Sequence, residues 1–179
     1  MQLRLVILLC ITGLACTGAV AAGAHGKRAA AAGPRIPALP KRNESVVGRC
    51  PIPARFRPAF ERAARDTGFQ LSMLVAVAQV ESSFKPDARS TADARGLLQV
   101  LPSTAASLKL NVDDPASNVL AGARYLRLLL DHYARTDLAL AAYNAGPTAV
   151  DEAGGAPWSA TQTYVANVQQ RWAALAGCA

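Results

Sequence analysis

After its first two dozen residues this chain holds no apolar run long enough to cross a membrane, which takes about 20 residues. No helical span is expected beyond that point. Aromatic side chains are sparse, at 6%, and in the part that reads as folded they do not interleave with basic residues as a nucleic-acid surface would require. Acidic residues are also few, 12 against 19 basic ones, so the formal charge is +7. A surplus of this sign favours anionic envelope polymers or lipid surfaces as partners over nucleic acid. No internal repeat is present. What the chain has in quantity is apolar side chains, 51% of 179 residues. That content suits one compact core with appendages and rules out a mostly disordered protein.

The single long apolar stretch lies at the start, in "MQLRLVILLCITGLACTGAVAAGA". Arg4 supplies a thin positive region, the run from Leu5 towards Ala15 is apolar, and small residues follow with A-x-A sites at Ala19–Ala21 and Ala22–Ala24. This is the form of a cleaved secretory signal, with a retained membrane anchor as the alternative, although the stretch is shorter than a spanning helix needs. Residues 1–24 therefore read as a signal peptide and 25–49 as a basic Ala/Pro-rich linker without helical or strand period. Residues 50–179 form the folded domain, exported to the periplasm or cell envelope. Cleavage removes Cys10 and Cys16 and leaves Cys50 and Cys178 near the two edges of that domain. Where disulfides persist, this remainder predicts a Cys50–Cys178 bridge, with two free buried thiols as the alternative.

The pattern along the domain is helical. Pro53 to Thr67 reads as a first helix stopped by Gly68, and Leu71, Leu74, Val75, Ala78 and Glu81 then recur on one face of a second. Pro86 disfavours helix at Lys85, so this helix ends just past the glutamate. Pro102 opens a short helix. Asp114 as cap and Pro115 at the first position start a long one, expected to be central, with Val119, Ala123, Leu126, Leu130 and Tyr133 on its buried face. Leu138 to Tyr143 is a short helix closed by "NAGP", and Thr161 to Ala174 is the last, with Tyr164, Val168 and Leu175 inward. Strand potential is confined to the loop after Arg89.

Glu81 is the residue this pattern does not explain. It closes an apolar stripe near a helix C-terminus, where the dipole disfavours negative charge, and no Lys or Arg stands one turn before it. Each circumstance raises its pKa, and a carboxylic acid that keeps its proton near neutral pH can serve as a general acid. Taken alone, a helix-end glutamate is more often solvated or a cap.

The neighbouring blocks decide the matter. "ESSF" at Glu81–Phe84 with Ser90 after it, "ARGLLQVLPSTA" at Ala94–Ala105, "NVLAGARYL" at Asn118–Leu126, "AAYNAGP" at Ala141–Pro147 and "TQTYVANV" at Thr161–Val168 together resemble the soluble lytic transglycosylase domain, a relative of goose-type lysozymes. The resemblance covers roughly Pro53 to Trp172. It implies a mostly α, lysozyme-like (α+β) fold: one helical domain with a small loop or hairpin region beside a sugar-binding cleft. It also implies lytic cleavage of the MurNAc–GlcNAc β-1,4 linkage of peptidoglycan with 1,6-anhydroMurNAc ends, and it implies no metal or organic cofactor. Glu81 matches the family's single catalytic acid/base, and Ser90, Gln99, Tyr143 and Asn144 match residues lining the cleft. Tyr164 is either cleft wall or core, with cleft the preferred reading. In this scheme Tyr143 and Ser90 would bond the acid or the sugar, and Gln99 would hold an N-acetyl group or hydroxyl through its paired donor and acceptor. Each also has a plain structural reading: core aromatic, loop cap, surface amide and, for Asn144, helix-ending turn residue. Gly96 and Gly146 read as structural.

Three positions depart from the family pattern. Leu98 replaces a methionine, a volume-conserving change, Ala160 replaces a glutamate, and Asp93 replaces a glycine. A second carboxylate at Asp93 opens the alternative of ordinary hydrolysis, as in goose-type lysozymes, unless Asp93 is a solvated partner of Arg89 or Arg95. The remaining alternative is a non-catalytic wall-binding component of an envelope-spanning secretion or conjugation machine. Peptidoglycan glycan strands are the expected partner in every case.

Overall fold

The computed structural model describes residues 48–179. The expectations for the signal peptide and for nearly all of the linker lie outside the described residues. Seven helices occur among the described residues: α1 Arg57–Thr67, α2 Leu71–Glu81, α3 Pro102–Ser107, α4 Pro115–Tyr133, α5 Thr136–Ala145, α6 Pro147–Ala153 and α7 Ser159–Ala174. They build a single helical domain without strands, and the hairpin potential after Arg89 is realised only as isolated antiparallel bridges, Arg89 to Arg95 and Arg95 to Val100.

Local chemistry sets most boundaries. Gly68 ends α1 in the left-handed conformation at φ 72°. The Asp114 carboxylate accepts a hydrogen bond from the Ser117 N–H and Pro115 takes the first turn of α4, satisfying donors that a bare helix start would leave open. Other boundaries differ from expectation. α1 begins at Arg57 because Pro53–Phe56 forms turns, α5 is longer than Leu138–Tyr143, and "GP" at Gly146–Pro147 does not only close α5. Gly146, at φ 86°, turns the chain and Pro147 opens α6, where its missing N–H does no harm.

The most continuously buried helix is α2, while α4, expected to be central, packs against more helices. Seven consecutive α2 residues, Ser72 to Ala78, are buried, whereas α4 keeps an outer face with Leu128 exposed. On α4, Val119, Ala123 and Leu126 are buried as expected, while Leu130 and Tyr133 are half-buried. α2 packs against α1 and α7, and α4 against α1, α3 and α5. Burying Met73, Leu74, Val75 and Val77 contributes about 1.5–3 kcal/mol each, enough to hold α2 in place with an acid at its end.

The Cys50–Cys178 disulfide is formed, with Cα atoms 4.8 Å apart and a sequence separation of 128. Beside it, the Cys50 N–H donates to the Ala179 carbonyl at 3.1 Å and the Ala179 N–H to the Gly48 carbonyl at 3.2 Å. The end of α7 is thereby fastened to the entrance of α1.

Candidate active site

Glu81 is the last residue of α2 and is half-buried. The chain leaves the helix abruptly, with Ser83 and Phe84 at φ 51° and 62°, conformations that are costly for residues other than glycine. Two contacts offset that cost. The buried Ser82 hydroxyl donates to the Leu97 carbonyl at 2.8 Å, and the Phe84 ring meets Phe60 edge-on at 5.6 Å.

The Tyr164 hydroxyl, from α7, donates to Glu81 Oε1 at 2.6 Å. Burial pushes the carboxyl from its ordinary 4.5 up to about 7, against the opposing pull of the Tyr164 hydrogen bond. Among the described residues no cation pairs with it. Burial, and then the nearby Glu81 charge, hold the phenols of Tyr143 and Tyr164 well above the usual tyrosine range. Both remain donors while Glu81 exchanges its proton near neutrality.

The loop facing Glu81 is gripped by side chains rather than by a sheet. Asn118 Oδ1 accepts from the Leu98 N–H at 2.9 Å, and Asn118 Nδ2 donates to the carbonyls of Arg95 and Val112 at 2.8 and 3.0 Å. The Tyr143 hydroxyl donates to the Leu98 carbonyl at 2.8 Å, so both polar groups of that one peptide residue are held. Two glycines make room: a Cβ on Gly96 would come within 2.6 Å of the Asn118 amide, and one on Gly122 within 2.7 Å of Leu98 and of the Tyr143 hydroxyl. Gln99 follows at φ 46°, with Nε2 donating to the carbonyls of Ala88 and Gly96, each at 3.0 Å.

Tyr164 and Glu81 are thus joined directly, and Gln99, Tyr143 and Asn144 line one cavity of about 190 Å³. Tyr143 bonds the loop backbone, not the acid. Both amide hydrogens of Gln99 are engaged, which leaves its amide oxygen, and not the donor–acceptor pair expected, without a hydrogen bond among the described residues. Asn144 Oδ1 accepts from the Thr161 hydroxyl at 3.0 Å and ties α5 to α7. Ser90 is exposed, and its hydroxyl caps a turn by accepting the Ala94 N–H at 3.0 Å; no hydrogen bond joins it to Glu81. Asp93 is exposed and ion-paired to Arg95 at 2.9 Å and Arg89 at 3.2 Å, and its hydrogen bond with Arg95 holds its carboxyl below the ordinary range.

Sequence reasoning assigned no role to Asn118, Gly122, Ser82 or Tyr125. Two of them carried a signal. Asn118 is a polar residue on the buried face of α4, and Gly122 is a mid-helix glycine, which costs about 1 kcal/mol against alanine and so points to a packing need.

The family model of the transglycosylase SLT domain matches residues 58–164, more than half of the chain. The chain belongs to the transglycosylase SLT domain family. Over 117 residues this SLT domain is 39% identical to the membrane-bound lytic murein transglycosylase F 2 of Alkalilimnicola ehrlichii, covering 61% of the chain and 25% of that protein. It is 43% identical over 75 residues to the transglycosylase of Enterobacteria phage PRD1, covering 41% and 28% respectively. Its fold is similar to an inactive glutamate-to-glutamine mutant of lytic transglycosylase Slt from Pseudomonas aeruginosa, with TM-score 0.60, 28% identity, and 71% and 25% coverage. It also resembles the 70 kDa soluble lytic transglycosylase of Escherichia coli, with TM-score 0.58, 27% identity, and 66% and 23% coverage. The chain therefore spans about a quarter of the length of these longer relatives.

Proposed function

We propose that the chain is a peptidoglycan lytic transglycosylase with Glu81 as its one acid/base. The observation that carries this reading is a half-buried carboxyl, raised to about 7 and, among the described residues, hydrogen-bonded only to Tyr164, in a site whose other candidate carboxylate, Asp93, is held ionised by arginines. Glycoside cleavage ordinarily uses two carboxylates. One suffices when the nucleophile belongs to the sugar. Protonated Glu81 gives its proton to the glycosidic oxygen as the C1–O bond breaks. The C6 hydroxyl of the same MurNAc then bonds to C1 and returns its proton to Glu81. The acid is restored, no water is consumed, and the product carries a 1,6-anhydro ring.

Tyr164 orients the acid, Tyr143 and Asn118 hold the opposing loop, and Gln99, Asn144 and the cavity beside them receive the glycan. The murein named in its relatives supports the substrate, and the disulfide supports an oxidising compartment, hence export behind a signal at 1–24 and a linker at 25–49. The same chemistry serves general wall turnover or the opening of wall for an envelope-spanning machine. Mass spectrometry of fragments released from purified peptidoglycan tests the reading: 1,6-anhydroMurNAc ends support it, and reducing MurNAc ends overturn it in favour of hydrolysis.

A further inference from the structure

The ion pairs among the described residues leave one face with a surplus of arginine. Arg57, Arg89, Arg95, Arg124, Arg127 and Arg135 each pair with a carboxylate. Arg49, Arg55, Arg62 and Arg65 are exposed and form no ion pair among the described residues. All four are gathered on or just before α1. Arg62 and Arg65 lie on that helix and Arg55 in the turn that enters it, at the spacing that lines up one side of a helix, and Arg49 adjoins Cys50. The other side of α1, with Phe60, Ala63 and Thr67, is buried. The acids nearest the row are already paired, Glu61 with Arg57 at 3.6 Å and Asp66, which also feels the Arg62 charge, with Arg124 at 2.8 Å.

The chemistry of the row limits its partner. Every member is an arginine, whose planar fork matches pairs of phosphate oxygens. No exposed large hydrophobic residue stands among them, so the face has nothing to insert between lipid tails. The Arg55 guanidinium lies 4.6 Å from the centre of the Phe56 ring, and Phe56 is itself buried, so no aromatic face is left on which a nucleic-acid base could stack. None of the four lines the cavity beside Gln99. A row of cations along one straight edge suits an extended anionic plane. In sequence Lys41 and Arg42 precede it, against the single acid Glu44, and a cluster of about four to eight basic residues is the composition that anionic lipid headgroups attract.

We propose that the outer face of α1 docks this domain on an anionic phospholipid bilayer, by charge and without insertion. The docking does not rest on glycan cleavage, and its test involves no turnover. The purified chain is sedimented with vesicles of phosphatidylglycerol and phosphatidylcholine in equal parts, and with vesicles of phosphatidylcholine alone. Any contribution of the apolar N-terminal run is common to both lipids and cancels in the ratio. The parent should prefer the anionic vesicles and lose that preference when salt is raised from about 0.1 M to about 1 M, which shortens the screening length from about 10 Å to about 3 Å. Arg55→Gln/Arg62→Gln/Arg65→Gln should weaken binding to the anionic vesicles by about fivefold for each arginine, about a hundredfold together, and melt with the parent. Lys85→Gln/Lys109→Gln/Arg171→Gln removes the same charge away from α1 and should change the affinity far less. Should the first triple variant melt below the parent, Arg62→Gln and Arg65→Gln singly carry the test, each expected to weaken binding about fivefold. Equal binding to both lipids, a preference that survives high salt, or equal losses in the two triple variants would each overturn the proposal. So would an α1 variant that loses its grip on purified wall and not on vesicles, which would assign the face to wall carboxylates instead.

Discussion

The hydroxyl of Tyr164 sits 2.6 Å from Oε1 of Glu81, although the two are 83 positions apart in sequence. Packing of α7 on α2 brings them together. The hydrogen bond stabilises the carboxylate and so works against burial, which would otherwise raise Glu81 beyond about 7.

Tyr164→Phe should therefore move the pH dependence of activity. A general acid works in its protonated form, so kcat/KM falls as pH rises through the Glu81 pKa near 7. Removing the hydroxyl lets that pKa rise further and shifts the falling limb to higher pH. The check is a pH profile of wall solubilisation for parent and variant. A limb that stays in place or moves down would show that Tyr164 does not tune the acid.

Asn118→Ala should lower stability and activity together. It strands the Leu98 N–H and the Val112 carbonyl, at about 1–3 kcal/mol for each group left unpaired, while the Arg95 carbonyl keeps the Val100 N–H. Gly122→Ala gains about 1 kcal/mol of helix propensity but forces Leu98 and Tyr143 to move, so turnover should fall more than stability. Urea denaturation beside wall solubilisation separates the two effects.

How far the sequence foretold this arrangement depends on whether the signal was local. Gly68, Pro86 and the Asp114–Pro115 pair act within one turn, and the helix ends they mark are where expected. α6 was hidden because Pro147 reads equally as a terminator and as a first helical residue. The continuous burial of α2 was hidden because a helix buried on most sides loses the one-sided stripe that identifies packing faces. At the site, Glu81 showed itself by its apolar neighbours. The Glu81–Tyr164 bond, the spent donor of Gln99 and the Asn118 clamp arise from segments 11 to 83 residues apart, and no periodicity reports them. Ser90 carried a motif match, yet its side chain caps its own loop.

Breaking the Cys50–Cys178 bridge should destabilise the domain by up to about 5 kcal/mol in the chain-entropy view of so long a loop. The loss should show first as release of the α7 end from the α1 entrance. Guanidine unfolding of Cys50→Ser/Cys178→Ser beside the oxidised parent measures it. A difference below about 1 kcal/mol, against that expectation, would mean that helix packing alone fixes α7.

Asp93→Asn should leave turnover and product identity unchanged, because Asp93 is exposed and committed to Arg89 and Arg95. Activity on purified peptidoglycan, with the products identified by mass, checks this. Near-complete loss of activity would assign Asp93 to the chemistry.

Glu81 carries the central claim. Its folded pKa lies above the ordinary 4.5, so the stability linked to its proton is complete below about 4.5 and is lost as pH rises through about 7. Glu81→Gln should then melt at or above the parent temperature at pH 8, provided its amide finds partners, and should still bind insoluble wall. The decisive measurement is the rate at which that folded, wall-binding variant solubilises purified peptidoglycan. The predicted result is a rate lower by about 10²–10⁴, the span of general acid/base catalysis. A rate above about a tenth of the parent's, outside that span, would contradict it and return Glu81 to the role of a helix-end carboxylate.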